Sequence, residues 1–158
     1  MDQKTALSLF DYRDGALYWR VCLNSRAPIG SEAGTYSKAN NRKTVRVYNK
    51  IYYTHRIIYL MHHGYLPAQI DHIDTNKHNN RIENLRAATP AQNQRNKAIP
   101  RNNTSGHKNI SWKNGKWVVE LKLDGKSKYF GRFDDLELAS FVASEARDKY
   151  HGEFAHHG

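Results

Sequence analysis

The stretch QIDHIDTNKHNNRIENLRAATPAQNQRN, residues 69–96, decides the expected fold of this chain. Its first five residues favour a short strand that enters a polar loop over residues 74–80, and residues 82–88 could form a second strand. Thr89 suits the cap of a following helix, and Pro90 suits its first turn. The segment therefore predicts the order strand, loop, strand, helix.

The residues before this segment favour short elements. Residues 1–53 predict short strands and turns, with a hairpin that turns at Asn49-Lys50. Thr54 is expected to cap a helix, because apolar residues then recur at helical spacing until Gly64.

The C-terminal third of the chain predicts a three-stranded antiparallel sheet that covers one amphipathic helix. Two dipeptides typical of tight hairpin turns, Asn114-Gly115 and Asp124-Gly125, separate runs in which apolar residues alternate. Apolar residues then recur at helical spacing up to Gly152. The expected strands lie near residues 109–113, 116–123 and 126–133, and the helix covers roughly residues 135–150. An α+β class follows for the whole chain.

The composition favours a partner that is a polyanion. The 158 residues carry a net charge of +10, and the pI is about 9.7, which suits binding to nucleic acid. No apolar run is long enough for a membrane span, the N-terminus lacks the layout of a signal peptide, and no protein partner is indicated. The single cysteine, Cys22, excludes an internal disulfide. We therefore expect a cytoplasmic protein, in the host cell if a phage encodes it.

Asp71 and His72 provide residue types that phosphodiester hydrolysis requires. The reaction needs a base that activates water and a cation that stabilises charge on the phosphate and the leaving oxygen. His72 could act as the base and Asp71 as a metal ligand, with the amide oxygen of Asn93 as a second ligand. Oxygen ligands of this kind suit Mg²⁺ or a similar ion that keeps several waters.

The wider pattern resembles the HNH homing endonucleases of bacteriophages. Asn84 follows His72 by twelve residues and Asn93 follows nine residues later, with the expected order of elements around them. The resemblance implies a ββα-metal fold, in which two strands and a helix surround one metal ion. It implies that His72 is the general base and that Asp71 and Asn93 bind Mg²⁺ or Mn²⁺. Asn84 is implied to brace the loop and help orient His72, whereas Asn93 stands where many family members have histidine.

Several basic side chains near this segment are candidates for contacts with the DNA backbone. Residues 98–107 form a polar and basic linker that could lie along phosphates. Lys97, directly before the linker, and Arg101 within it are expected to contact DNA. Three further side chains could hold the scissile phosphate, and the sequence does not choose among them: Arg86, Arg95 and His78.

The C-terminal segments SGHKNISW, residues 105–112, and YFGRF, residues 129–133, resemble Apetala/ethylene-response-factor DNA-binding domains. Such domains occur fused to HNH nucleases and lay a three-stranded sheet in the major groove. This chain has lysine where those domains mostly have arginine, and lysine lacks the bidentate fork that reads guanine. Backbone positioning is therefore expected to outweigh base readout. The DNA contacts implied by the resemblance are Lys108, Lys113, Lys116, Glu120, Lys122 and Tyr129.

These patterns predict a metal-dependent, site-specific endonuclease of double-stranded DNA. Two alternatives stay open: a non-catalytic DNA-binding protein or transcription regulator that keeps an inactive nuclease fold, and an RNA-binding protein. The complete set of catalytic and metal-binding candidates favours the enzyme over the first alternative. The expected organisation is a nuclease domain at residues 1–97 with its core at about 54–97, the linker at 98–107, and a DNA-binding domain at 108–158.

Overall fold

The computed structural model describes residues 1–39, 41–96, 99 and 102–155. The chain divides into two compact units, Met1–Thr89 (unit 1) and Pro90–Gly158 (unit 2). Each unit combines helices with small antiparallel sheets, so the predicted α+β class is confirmed. In the described part of the chain, no helix has the length and apolar character needed to cross a membrane.

The described residues of unit 1 form two α-helices and three small antiparallel sheets. Its elements are α1 (Gln3–Leu9), β1 (Phe10–Arg13), β2 (Ala16–Trp19), β3 (Thr35–Ser37), β4 (Arg42–Val47), β5 (Lys50–Tyr53), α2 (Thr54–His63), β6 (Gln69–His72) and β7 (Leu85–Ala88). Strand β1 pairs with β2, the second sheet has the order β3-β4-β5, and β6 pairs with β7. The side chains of α2 that face the sheets, including Ile57 and Ile58, are buried in the core of this unit.

Helix α1 departs from the prediction of strands and turns for residues 1–53. The Oδ1 atom of Asp2 accepts a hydrogen bond from the backbone N–H of Thr5 at 2.7 Å and caps the helix. Ala6 and Leu9 are buried. A helix of seven residues shows too little of the 3.6-residue period for an apolar pattern to reveal it. The cap at Asp2 was the only local signal for this helix.

The hairpin between β4 and β5 turns at Tyr48-Asn49, one residue before the predicted Asn49-Lys50. Tyr48 and Asn49 have φ values of 45° and 65°, and two positive φ angles are what a two-residue type I′ turn requires. Val47 pairs directly with Lys50. Lys50 therefore belongs to strand β5 and not to the turn.

Helix α2 begins at Thr54, which is its first residue and not its cap as predicted. Tyr53 occupies the cap position, and Thr54 is fully buried. The predicted end of the helix is confirmed, because Gly64 adopts a left-handed φ of 77° and its N–H donates to the carbonyl of Leu60 at 2.9 Å. Burial of Thr54 explains the difference, since a cap residue keeps its side chain beside the helix end and not in the core.

Strand β7 is shorter than the predicted strand over residues 82–88. The first part of the predicted strand is instead a 3₁₀ turn, Ile82–Asn84. The N–H of Ile82 donates to the hydroxyl of Tyr12 at 3.0 Å, and the N–H of Asn84 donates to the carbonyl of Arg81 at 2.9 Å. The named pairing with β6 begins at Leu85, opposite His72, and the carbonyl of Asn84 accepts one further bond from the N–H of Ile73 at 2.9 Å.

Unit 2 contains a short helix, a three-stranded sheet and a long helix. Its elements are α3 (Pro90–Arg95), β8 (Ile110–Lys113), β9 (Lys116–Leu123), β10 (Lys126–Phe133), α4 (Leu136–His151) and a 3₁₀ turn at Gly152–Phe154. The sheet is antiparallel with the order β10-β9-β8. Both predicted hairpin turns are confirmed, and the sheet and long helix lie within a few residues of their expected bounds.

The core of unit 2 lies between this sheet and helix α4. Ala139 and Ala143 are fully buried and belong to one cluster with Val119 and Leu121 of the central strand. Small residues on this face of α4 let its backbone approach the sheet closely. The predicted apolar stripe is therefore the packing face of the helix.

Helix α3 belongs to unit 2, whereas the sequence analysis assigned residues 90–97 to the N-terminal domain. The guanidinium of Arg95 lies 3.5 Å from the carboxylate of Asp124, and the ammonium of Lys108 donates to the carbonyl of Arg95 at 3.1 Å. These long-range contacts could not be read from the sequence. The functional division at the basic linker stays a prediction.

Candidate active site

The carboxylate of Asp71 is held by an arginine across the β6–β7 hairpin. Asp71 and Arg86 are direct partners in the ladder, so their side chains lie on one face. The Nε and Nη2 atoms of Arg86 lie 2.9 and 2.8 Å from Oδ2 of Asp71. The Asp71 side chain is only 5% exposed and that of Arg86 is 15% exposed. This desolvated, charge-assisted pair fixes the position of the carboxylate.

The imidazole of His72 is buried and held in one orientation. Its Nε2 atom lies 3.0 Å from the Oδ1 atom of Asn80, which is itself buried. An amide oxygen only accepts hydrogen bonds, so Nε2 is the nitrogen that carries the proton in the neutral ring. The lone pair is therefore on Nδ1. The ring of His55 on α2 lies beside this imidazole, with the ring centroids 5.3 Å apart.

The surroundings of His72 favour its neutral form. Burial lowers the pKa of His72 most, and the positive charge of Arg42 lowers it further, whereas the bond to Asn80 and the carboxylates of Asp74 and Asp71 act in the opposite direction. The net effect is a pKa below the usual 6.5 for histidine. At neutral pH the ring is therefore uncharged and can accept a proton.

His55 and Arg42 both affect the electrostatic environment of this imidazole. Burial lowers the pKa of His55 to about 3, with further contributions from Arg42, His72 and Arg56. The guanidinium of Arg42 is partly desolvated, which lowers its pKa, and its buried Nη1 atom has no hydrogen-bond partner among the residues that the structure describes. A desolvated positive charge thus lies close enough to both histidines to disfavour their protonation.

The loop after His72 is built from polar side chains that bond to the backbone. Asn84 donates from Nδ2 to Asp74 Oδ1 at 2.9 Å and to the carbonyl of Asn79 at 2.8 Å, and its Oδ1 accepts from the N–H of Asp74 at 3.0 Å. Asp74 also accepts from the N–H of Asn76 and the amide of Asn79. Asn84 therefore braces the loop. In this structure the side-chain bond to His72 comes from Asn80 and not from Asn84.

The candidate residues of the nuclease segment fall into both units. Asp71, His72 and Asn84 lie together in unit 1, and Asn93 lies half-buried on α3 in unit 2. Among the three candidates for the scissile phosphate, Arg86 contacts Asp71 and Arg95 contacts Asp124. His78 is exposed, and its ring lies 5.1 Å from that of Tyr36. Their roles toward phosphate stay predictions.

The donor atoms fit a hard divalent cation. Among residues 1–39, 41–96, 99 and 102–155, no three His, Cys, Asp or Glu side chains come together as a group. A magnesium-like ion does not need such a group, because it is bound through one or two carboxylates and keeps several waters. The carboxylate of Asp71 is a ligand of that type.

The predicted DNA-binding residues of unit 2 differ in what they contact. Lys113 is paired with Glu120 at 2.9 Å, and Lys116 is paired with Asp134 at 2.9 Å. Lys122 is exposed, and Tyr129 is 56% exposed. Two of the lysines are thus partly neutralised within the protein. Lys97 and Arg101 lie outside the described residues.

The residues that the sequence analysis missed are those that act on His72 from a distance in sequence. Asn80 was recognised only as part of a polar loop, and Arg42 belongs to a strand well before the motif. The doublet Asn79-Asn80 was a usable signal, because two amides in a loop opposite a candidate base suggest hydrogen bonds to it. No local pattern pointed to Arg42.

Comparisons with known proteins agree with this geometry. A family model described as HNH endonuclease matches residues 52–95, from the end of β5 to the end of α3. Protein 3.8 of Escherichia phage T7 is 34% identical over 118 residues, which cover 72% of this chain and 97% of that protein. An uncharacterized HNH endonuclease of Acanthamoeba polyphaga mimivirus is 38% identical over 104 residues, 64% of this chain and 54% of that protein. No solved structure matches the chain. The chain therefore belongs to the family of phage T7 Protein 3.8 and carries an HNH endonuclease domain.

Proposed function

We propose that this protein is a metal-dependent endonuclease that hydrolyses a phosphodiester bond of double-stranded DNA. The observation that carries the proposal is the state of His72: buried, neutral, and fixed with its proton on Nε2 by Asn80. A general base must have a lone pair ready at the working pH. The match to an HNH endonuclease model over this segment supports the same assignment.

In the proposed reaction, Nδ1 of His72 removes a proton from the attacking water. The ring then carries a positive charge while Nε2–H continues to donate to Asn80. The carboxylates of Asp71 and Asp74 favour this charged form, since both raise the pKa of His72. Burial and Arg42 keep the ring neutral before the reaction, whereas the two carboxylates stabilise the protonated ring that forms.

We propose that Asp71 and Asn93 hold the metal ion, Mg²⁺ or Mn²⁺. When bound, such an ion stabilises negative charge on the phosphate and on the leaving oxygen. The ion pair with Arg86 orients the carboxylate of Asp71. Arg86 then acts as a positioning residue for the ligand, in addition to the phosphate contact that the sequence suggested.

We propose further that cleavage is site-specific, of the homing type, and that the sheet of unit 2 contacts DNA as in Apetala/ethylene-response-factor domains. The support is the resemblance of the sequence and the exposed positions of Lys122 and Tyr129. The ion pairs of Lys113 and Lys116 must open or shift if these lysines bind phosphates. Their contribution to affinity is expected to be smaller than that of Lys122.

The proposal is tested by incubating supercoiled plasmid with the full chain and Mg²⁺. Nicked or linear product that disappears with EDTA and with His72→Ala supports the nuclease. Loss of the general base should cost at least about a hundredfold in rate. His63→Ala is the matched control, because His63 is an exposed histidine of α2. Plasmid that is bound but stays supercoiled would favour the non-catalytic DNA-binding alternative, and tighter binding to hairpin RNA than to duplex DNA would favour an RNA-binding protein.

A further inference from the structure

Unit 2 contains a cavity of about 480 Å³ whose polar lining is mainly basic. It lies between one face of α3 and residues of the sheet and of the end of α4. Asn93 does not line it, so this cavity is separate from the metal ligand proposed on the same helix. The lining side chains that matter here are Arg95, Lys108, Lys122, Asp124 and His151.

The charges around the cavity are unbalanced. Among its described lining residues the one acidic side chain, that of Asp124, is 94% exposed and lies 3.5 Å from Arg95. Two of the basic side chains are less exposed: that of Arg95 is 20% exposed, and burial, with help from Arg147, lowers the pKa of Lys108 to about 8. Burial, Arg95, Lys108 and Arg147 lower the pKa of His151 to about 4, so its ring is neutral and can donate a hydrogen bond. Partly desolvated cations that repel one another favour the entry of an anion.

The imidazole of His151 also lacks a hydrogen-bond partner among the described residues. Both of its ring nitrogens are buried, and neither bonds to a side chain or backbone group in that part of the chain. A buried polar group without a hydrogen bond is costly and uncommon, and an unfilled ligand site is one of its recognised causes. Lys108 donates to the carbonyl of Arg95 at 3.1 Å. This bond uses one of the three ammonium protons and fixes the lysine at the cavity.

The structure also unites residues that the sequence suggested separately. Arg95 was a candidate for a phosphate contact because it follows the nuclease motif, and Lys108 and Lys122 were candidates from the resemblance of the C-terminal domain. The fold brings these three side chains around one cavity together with His151. A tetrahedral oxyanion accepts several hydrogen bonds at once, which matches such a set of donors.

We propose that this cavity binds a phosphate group through Arg95, Lys108, Lys122 and His151. The phosphate is either that of the DNA backbone or a free phosphate, and the chemistry of the contacts is the same for both. The existence of the site does not depend on nuclease activity. Its use for backbone phosphate rests on the proposed function, and it would give unit 2 a DNA contact outside its sheet.

The test uses the full chain with ¹⁵N-labelled histidines, followed by NMR of the imidazole signals. Inorganic phosphate is titrated in one arm and a duplex oligonucleotide in the other, at constant ionic strength, with chloride as the reference anion. We expect saturable shifts of the His151 signals with phosphate. In Lys108→Gln the phosphate affinity that these shifts report should fall at least about tenfold, because one charged contact is lost. Lys149→Gln, an exposed lysine of α4 that does not line the cavity, should leave them unchanged.

The two arms separate the sources of the phosphate. Shifts of His151 with duplex DNA, and competition of inorganic phosphate against them, support the backbone as the ligand. Shifts with inorganic phosphate alone support the site and overturn its use for DNA. No shift of His151 in either arm, in a chain whose other signals show that it is folded, overturns the site itself. Lys122→Gln provides a second variant, because Lys122 is exposed and its replacement does not disturb a core.

The outcome is independent of the plasmid assay. A chain that cuts no DNA but shows saturable His151 shifts would lose the proposed function and keep the phosphate site. A chain that nicks plasmid without any His151 shift would keep the nuclease and lose this site.

Discussion

Asn80 accepts a hydrogen bond from Nε2 of His72 at 3.0 Å, and both side chains are buried. The sequence brings them together through an eight-residue span in which the loop turns back on strand β6. The bond selects one of the two neutral forms of the ring. It therefore determines which nitrogen can act as the base, which neither residue could determine alone.

Asn80→Ala is expected to slow cleavage while leaving DNA affinity nearly unchanged. Without the acceptor, the ring of His72 can rotate and place its proton on either nitrogen. Loss of an orienting partner of this kind costs on the order of 10- to 100-fold where it holds a functional histidine. The measurement is the single-turnover nicking rate beside the dissociation constant for the same DNA.

The conservative variant Asn80→Asp distinguishes orientation from simple folding. It keeps an acceptor for Nε2–H, so the rate at high pH should recover much of the loss in Asn80→Ala. The added negative charge raises the pKa of His72, which moves the acidic limb of the rate profile to higher pH. Equal rates in both variants across the pH range would exclude an orienting role for Asn80.

Arg42→Gln is expected to change the pH dependence of cleavage. The charge of Arg42 lowers the pKa of His72, so its removal raises that pKa. The base acts in its neutral form, and a higher pKa leaves less of that form at acidic pH. Activity at pH 6 should therefore fall more than activity at pH 8.5. The acidic limb of the pH–rate profile should move to higher pH.

Arg46→Gln is the matched control for this prediction. Arg46 lies on the same strand as Arg42 but is exposed, and it carries the same charge. An acidic limb that moves equally in both variants would point to a general effect of net charge on DNA binding. A limb that stays in place in Arg42→Gln would contradict the assigned influence of Arg42 on the base.

His55 is expected to make the stability of unit 1 depend on pH. Its pKa is about 3 in the folded protein and about 6.5 when exposed. Between these values the unfolded chain binds the extra proton, so the stabilising contribution of neutral His55 is complete above pH 6.5 and is lost as the pH falls. One such group contributes a slope of about 1.4 kcal/mol per pH unit in that range.

The measurement is urea unfolding of the full chain at pH 7.5 and pH 5.0. In His55→Gln the loss of stability between the two pH values should be smaller than in the parent protein, whatever the absolute stability of the variant. His63→Gln is the control, because that histidine is exposed. An unchanged pH dependence in His55→Gln would show that His55 becomes protonated without unfolding.

How far the sequence could predict this molecule depends on the range of the interactions. The turns at Asn114-Gly115 and Asp124-Gly125 and the end of α2 at Gly64 follow from local backbone preferences, and all three are confirmed. The positions of Asp71 and Arg86 opposite each other also follow once the two strands are recognised. Such features depend on neighbouring residues or on a simple pairing rule.

The features that the sequence did not predict depend on tertiary contacts. The charge of Arg42 acts on His72 although β4 comes well before β6 in the chain, and no pattern near either residue contains that information. The place of α3 in unit 2 has the same kind of cause, since its partners Lys108 and Asp124 follow it in the chain. Local propensity predicts the helices and strands, but it does not predict which distant residues they contact in the folded chain.

The final prediction concerns the proposed metal ligands. Asp71→Ala should raise the Mg²⁺ concentration needed for half-maximal nicking more than Asn93→Ala does, because a charged ligand is lost in the first case and a neutral one in the second. Asp71→Ala has a second effect, since it leaves Arg86 desolvated without its carboxylate. Breaking a buried ion pair in this way costs about 3–5 kcal/mol, so low activity alone would not identify a ligand.

A double variant separates the two effects. Asp71→Ala combined with Arg86→Leu removes both charges, and replacing a buried pair with apolar groups is often neutral for stability. If Asp71 is a metal ligand, the double variant should regain the melting temperature of the parent protein and still require far more Mg²⁺. Nicking at the parent's Mg²⁺ requirement in a stable double variant would mean that Asp71 serves only to pair with Arg86, and the metal ligands would have to be sought elsewhere.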